Sequence, residues 1–343
     1  MLMDYERVLV RHELEEKLRG GSTEARDVPA PHHDASKQFW AAVLEDRPTM
    51  ALALVRRNHV DVNDRDGCGR TALWHCAWHG RDAFLGVLLE LGADAAVCDG
   101  DGDGPLAAAA RRGEADSIGV LLKHGCPRNS KNDDGRTALW HAASYGRTAS
   151  LHALLRGGAD ANAADRIGGT PLHAACSAGR LACARALLES GADARRRDGD
   201  GRTCLHAACQ RGDVACVQAI VDALEPTALN DRDALGQTAL WLAARDGSED
   251  ICAALLERGA DSGIAANSGR LPREIAELYG YEDVVDIVDG RVDDGAAVAD
   301  APESPPESPP QSPPPAARIE GTALPEPHNR GPVRALESGF VRG

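Results

Sequence analysis

The stretch Thr71–Gly80 reads TALWHCAWHG, and its residue types are those of a metal or catalytic site. His75, Cys76 and His79 fall within five residues. On a helix, His75 and His79 share a face, which is metal-ligand spacing, and Cys76 offers a further ligand or a nucleophile. A second candidate is CDGDGDGPL, where Asp99, Asp101, Asp103 and Gly104 match the opening of a D-x-D-x-D-G calcium loop. Such a loop needs a bidentate Glu at its twelfth position, which here is Ala110. A third is the set Cys176, Cys183, Cys209 and Cys216, two pairs repeating at 33 residues, as a four-thiol metal site. No glycine-rich loop follows a strand, no G-x-S-x-G occurs, and no complete triad is apparent.

The elements that carry these residues are repeats. TALWHCAWHG at Thr71 recurs as GPLAAAARRG at Gly104, TALWHAASYG at Thr137, TPLHAACSAG at Thr170, TCLHAACQRG at Thr203 and TALWLAARDG at Thr238. A weaker copy, LPREIAELYG, starts at Leu271, and a divergent one, QFWAAVLEDR, starts at Gln38. The steps are 33 residues, except for 35 between Thr203 and Thr238.

Each unit reads as two helices and a loop. In the Thr170 copy, Thr170 is an N-cap type and Pro171 suits the first helical turn, where a missing N–H is harmless. Ala174 and Ala175 let helices approach closely, and Gly179 breaks the first helix. Leu181–Glu189 has helical apolar spacing, Gly191 suits a left-handed C-cap, and Asp198–Gly201 is a hairpin turn. One unit cannot bury both faces of its helices, whereas a stack of units can.

Composition agrees with such an array. Hydrophobic residues make up 43% but aromatics only 3%, so the core must be Ala, Leu, Val and Cys. The net charge of −15 argues against nucleic-acid binding, which needs clustered Lys and Arg. No signal peptide and no membrane-length apolar run occur, and the ten cysteines lack the spacing of a secreted disulfide scaffold. The expectation is an intracellular, reduced protein, cytoplasmic or nuclear, monomeric and without cofactor.

The recurring TPLH-x-A, LL-x-x-GAD and D-x-x-G-x-T elements resemble the ankyrin repeat family. They stand here as Thr170-Pro171-Leu172-His173, Leu187-Leu188 with Gly191-Ala192-Asp193, and Asp165 with Gly168. The resemblance implies an all-α solenoid of stacked helix-turn-helix units with hairpin loops, seven to eight repeats including divergent caps. The expected organisation is an N-terminal helix and linker over 1–35, repeats over 36–290 and a Pro-rich, disordered tail over 291–343. The repeats are expected near 38–65, 66–98, 99–131, 132–164, 165–197, 198–232, 233–265 and 266–290. Two departures stand out. The Gly104 copy lacks Thr and His and is expected to make a softer joint. The Thr203 copy replaces GAD with Leu224-Glu225-Pro226, and its second helix is expected to be longer.

In this register most chemical signals become structural. Thr71, Thr137, Thr170, Thr203 and Thr238 are motif caps. His173 and His206 occupy the motif histidine, which in the family hydrogen-bonds the backbone of the next repeat. Trp74, Trp140 and Trp241 fill the same slot and have an N–H for the same purpose. Cys76 sits in an alanine slot, and the other thiols read as small core residues.

The residues seven and eight after the motif Thr face the concave groove in this family. Here they are Trp78/His79, Arg111/Arg112, Ser144/Tyr145, Ser177/Ala178, Gln210/Arg211 and Arg245/Asp246, and the residue before the Thr adds Arg70, Asp103, Arg136, Arg202 and Gln237. Trp, Tyr and Arg dominate binding energy at interfaces. They gather on the first three full repeats, which points to a protein partner with an acidic or aromatic-anchored segment. The tail PESPPESPPQSPPP reads as polyproline II with three Ser-Pro sites, Ser304, Ser308 and Ser312, for a proline-directed kinase or a polyproline-reading domain. The expected function is a non-catalytic adaptor or scaffold. The alternatives are a substrate adaptor for a ubiquitin ligase and a Cys/His metal protein or enzyme.

Overall fold

A computed structural model describes residues 32–58 and 60–291. The N-terminal helix expected over residues 4–19 and the Ser-Pro sites Ser304, Ser308 and Ser312 lie outside them. Among the described residues the fold is all-helical, with one isolated antiparallel bridge, Arg65 to Thr71. The helices come in pairs. They are α1 (His32–Leu44) with α2 (Pro48–Asn58), α3 (Ala72–Trp78) with α4 (Asp82–Glu90), and α5 (Pro105–Arg112) with α6 (Ala115–Lys123). Next come α7 (Ala138–Ser144) with α8 (Thr148–Arg156), α9 (Pro171–Ser177) with α10 (Leu181–Glu189), and α11 (Cys204–Arg211) with α12 (Val214–Ala223). The last are α13 (Ala239–Arg245) with α14 (Glu249–Glu257), and α15 (Pro272–Tyr279) with α16 (Glu282–Val288). First helices pack on first helices of the next pair, and second on second.

The first helices begin where the cap chemistry places them. The Oγ1 atoms of Thr71, Thr137 and Thr238 accept from the backbone N–H three residues on, each at 3.2 Å. Pro105, Pro171 and Pro272 open their helices at the position that lacks an N–H partner anyway. One leucine per unit, Leu73, Leu106, Leu139, Leu172, Leu205 and Leu240, forms a buried row two residues after the motif Thr position. Each such burial stabilises the stack by roughly 1.5–3 kcal/mol. Alanines and cysteines fill the space between, so the pairs approach closely without large aromatics.

The loops form a second, polar ladder. Asp66, Asp99, Asn132, Asp165, Asp198 and Asp233 each accept, through Oδ1, from the backbone N–H groups two and four residues later. Neighbouring loops are joined by single backbone bonds such as Asp133 N–H to Asp101 O at 3.2 Å and Ala234 N–H to Asp200 O at 2.9 Å. The turn needs a left-handed residue. Gly135 has φ +75°, and a Cβ there would stand 2.7 Å from the Arg166 nitrogen.

The two departures take these forms. After the Thr203 copy, α12 spans 10 residues against 9 for its neighbours α10 and α14, longer by one residue. The extra chain forms a 3-10 turn, Pro226–Asn230, because Pro226 cannot continue the helix. The Gly104 copy, expected to be soft, carries a buried polar cross-link to the next unit, described below.

Candidate functional site

The motif histidines are fixed by their own caps. Nδ1 of His173 and of His206 lies 2.8 Å from the hydroxyl of Thr170 and Thr203, and accepts from the same residues' backbone N–H. Nε2–H then donates to Arg202 O at 3.0 Å and Gln237 O at 3.1 Å, carbonyls of the following unit. Burial pulls both imidazoles below their ordinary pKa, and they stay neutral donors. Trp241 makes the equivalent bond, Nε1–H to Arg270 O at 3.1 Å. Trp74 does not. Its indole nitrogen is buried with no partner, so its slot serves another purpose.

That purpose is stacking. The Arg70 guanidinium lies 4.5 Å from the Trp74 ring, and Trp74 stacks on Trp78 at 5.2 Å with 11° between planes. Arg111 and Arg112 lie 5.8 and 5.4 Å from the Trp78 ring. Arg111 also lies 5.8 Å from Tyr145, which stacks on His141 at 6.4 Å. His141 meets Trp140 edge-on at 5.5 Å, and Arg136 covers Trp140 at 4.3 Å. Arg70 to Arg136 is therefore one continuous run of cations and rings over three helix pairs, α3/α4, α5/α6 and α7/α8. Close Arg–aromatic contacts contribute about 0.5–1 kcal/mol each where exposed and more where desolvated.

The middle of the run is pinned by a buried carboxylate. Asp103 accepts from Arg111 Nη1 at 2.7 Å and from Asn132 Nδ2 at 2.8 Å, and lies 3.2 Å from His141 Nε2. Burial pushes its pKa up, but His141, Arg111 and Asn132 outweigh it and hold the group down at about 2. The Gly104 copy thus trades the usual Thr–His cap for a tie to Asn132 and His141 of the next unit.

The chemical candidates of the sequence take these places. His75 Nε2 lies 2.9 Å from Asp66 Oδ2, and its ring meets Trp40 and Trp74 edge-on, so it is held within the packing. Cys76 is fully buried, and burial pushes its thiol up to about 12, far from a thiolate nucleophile. His79 is exposed; partial burial and the Arg81, His75 and Arg112 charges pull its pKa down. In CDGDGDGPL, Asp99 is turned onto its own loop amides and Asp103 faces inward, so the two carboxylates do not converge. Cys176, Cys183, Cys209 and Cys216 are all buried among core residues. Cys204, a thiol the 33-residue pairing of cysteines passes over, is buried too and donates to Ala194 O at 3.3 Å.

The groove positions are not equivalent. Trp78 is half-buried against Trp74 and is not the free residue its register suggests. Ser144 is buried, which corrects its expected exposure, because the small side chain turns into the stack. Arg245 is clamped by Asp246 at 2.8 and 2.9 Å, Arg136 by Asp134 at 2.9 Å, and Arg202 approaches Asp200 at 3.4 Å. Gln210, Arg211 and Arg112 are exposed, and Tyr145 is half-buried. Sequence reading placed Asp103 among the groove positions but did not see that it pins Arg111, and it missed Asn132. The acidic side chain at position 103, in a slot flanked by Arg70 and Arg136, was the available signal.

No helix among the described residues is long and apolar enough to cross a membrane. A family profile described as ankyrin repeats (3 copies) matches residues 39–132, 75–165, 106–198, 147–230 and 190–266. No curated protein matches. Among solved structures, the chain is similar to the ankyrin repeat domain of Bcl-3, described as a unique member of the IkappaB protein family. The identity is 25% and the TM-score 0.58, over 65% of this chain and 99% of that one. Ankyrin repeat domains bind other proteins, and the fold is typically a non-enzymatic interaction scaffold. With the profile running from residue 39 to 266, this chain belongs to the ankyrin repeat family.

Proposed function

We propose that this chain is a non-catalytic adaptor or scaffold that grips a partner protein along the groove side of α3, α5 and α7. The observation that carries this reading is the continuous Arg70–Trp74–Trp78–Arg111–Tyr145–His141–Trp140–Arg136 run. Rigid aromatic rings and flat guanidiniums lose little entropy when a partner docks. Trp74, Trp140 and His141 are buried and back the run, while Trp78, Tyr145 and the arginines keep an exposed part for a partner. The inward placement of Cys76 and the engagement of His75 by Asp66 favour this reading over Cys/His chemistry. A role as a ubiquitin-ligase adaptor is a finer version of it, which a ligase subunit among the captured proteins would establish.

The experiment is affinity capture with the full chain and with Trp78→Ala/Arg112→Ala. The partners held by the parent should drop at least ten-fold in the variant while its helical circular dichroism is unchanged. Equal capture by a folded variant sinks the groove assignment.

A further inference from the structure

We infer that Arg70 and Arg112 receive two carboxylates of an extended acidic segment of the partner protein, with an apolar side chain of that segment resting on Trp78. The inference rests on the groove reading above and names the chemistry of its partner. It follows from which arginines already have a counter-charge. Arg111, Arg136 and Arg245 each have a carboxylate within 3 Å, and Arg202 has one at 3.4 Å. Arg70 and Arg112 make no ion pair among the described residues, yet both guanidiniums are held over the one indole pair. Lying against the rings holds both guanidiniums in place, and a guanidinium held in place suits bidentate contact with a carboxylate.

The spacing also suits an extended segment. Arg70 and Arg112 lie no further apart than the three stacking steps of 4.5, 5.2 and 5.4 Å laid end to end. An extended chain bridges them in no more than about four or five residues at roughly 3.3 Å each. The carboxylates then fall on either side of a residue that meets the exposed part of Trp78. Elsewhere the chain is strongly acidic, at −15 overall, so this is a local reversal of charge that an acidic segment would seek out.

The test is selection of a random twelve-residue peptide library, displayed on phage, against the full-length chain. The recovered pool should be enriched in Asp or Glu pairs no more than about five residues apart around an apolar residue. Recovery should fall at least ten-fold on Arg112→Glu and on Arg70→Glu/Arg112→Glu, and stay unchanged on Arg156→Glu, an exposed arginine in the last turn of α8 and outside the groove positions. Because Arg112 is exposed, its single variant keeps the test readable if Arg70→Glu fails to fold. A pool without acidic enrichment, or one recovered equally by Arg112→Glu, overturns the inference. Displacement of the pool by a peptide of this chain's residues 299–311 makes its own tail the occupant, and overturns an external segment. If captured partners still depend on Trp78 and Arg112 while the pool is not acidic, only this chemistry fails. If they are indifferent to both, the groove reading fails.

Discussion

Arg111 donates to Asp103 at 2.7 Å from a carboxylate that is almost wholly buried, and the same guanidinium touches two rings, Trp78 and Tyr145. One ion pair therefore aims the centre of the array. Removing one partner of a buried pair leaves the other uncompensated and costs roughly 3–5 kcal/mol. Asp103→Ala should lower the unfolding free energy by that order in urea titration. A loss below about 1 kcal/mol would show that Asp103 is dispensable.

Acid should act in two windows. His173 and His206 have depressed pKa values when folded, so the unfolded chain takes up protons first as pH falls below about 6.5. Stability present above that pH is lost as pH falls toward their folded values. Asp103 adds a second loss between its unfolded value near 3.8 and its folded value of about 2. Urea midpoints at pH 7.5 and 5.5 should differ, and His173→Gln/His206→Gln should shrink the difference. A slope identical in that variant would place the acid response elsewhere.

Trp241 and Trp74 share a slot but not a bond. Trp241→Phe removes the donor to Arg270 O and should cost about 1 kcal/mol. Trp74→Phe removes an indole nitrogen that has no partner, so it loses no hydrogen bond. Its effect should fall on the stack with Trp78, read as a change in tryptophan fluorescence and near-ultraviolet dichroism. The two substitutions giving the same spectral and stability changes would refute this division.

The thiols should label in order of burial. Cys68 is exposed and Cys98 half-buried, whereas the other eight are buried. Burial pushes Cys126, Cys216 and Cys252 up to about 12. Iodoacetamide at pH 8 on the native chain should modify Cys68 first, followed by Cys98, and mass spectrometry reads the order. Early modification of Cys76 would contradict its placement in the core.

Much of the fold was legible because stacking imposes one period on everything it touches. Thr170, His173 and Gly179 meet the same neighbours in every regular unit, so their roles follow from register. The array is different, since it joins positions before, within and after the motif across three units. Register alone makes Arg111, Arg112 and Arg245 equivalent groove arginines. Space separates them, because Asp103 neutralises the first, Asp246 the third, and nothing among the described residues the second. Trp78 likewise stood in a free slot, and only its parallel contact with Trp74 shows that half of it is committed.

The tie from Asp103 to Asn132 and His141 also makes the order of the units matter. A 33-residue unit is the natural currency of duplication and loss, because excising one leaves every loop-to-loop bond a neighbour to form. Losing the Thr170 unit would shorten the array and spare the surface that runs from Arg70 to Arg136. Losing the Gly104 unit would leave an equally regular stack, but with Arg111, Arg112 and Asp103 gone and two tryptophan-bearing units pressed together. The units beyond Thr170 are thus exchangeable for this surface, whereas the Thr71, Gly104 and Thr137 units work only as a block.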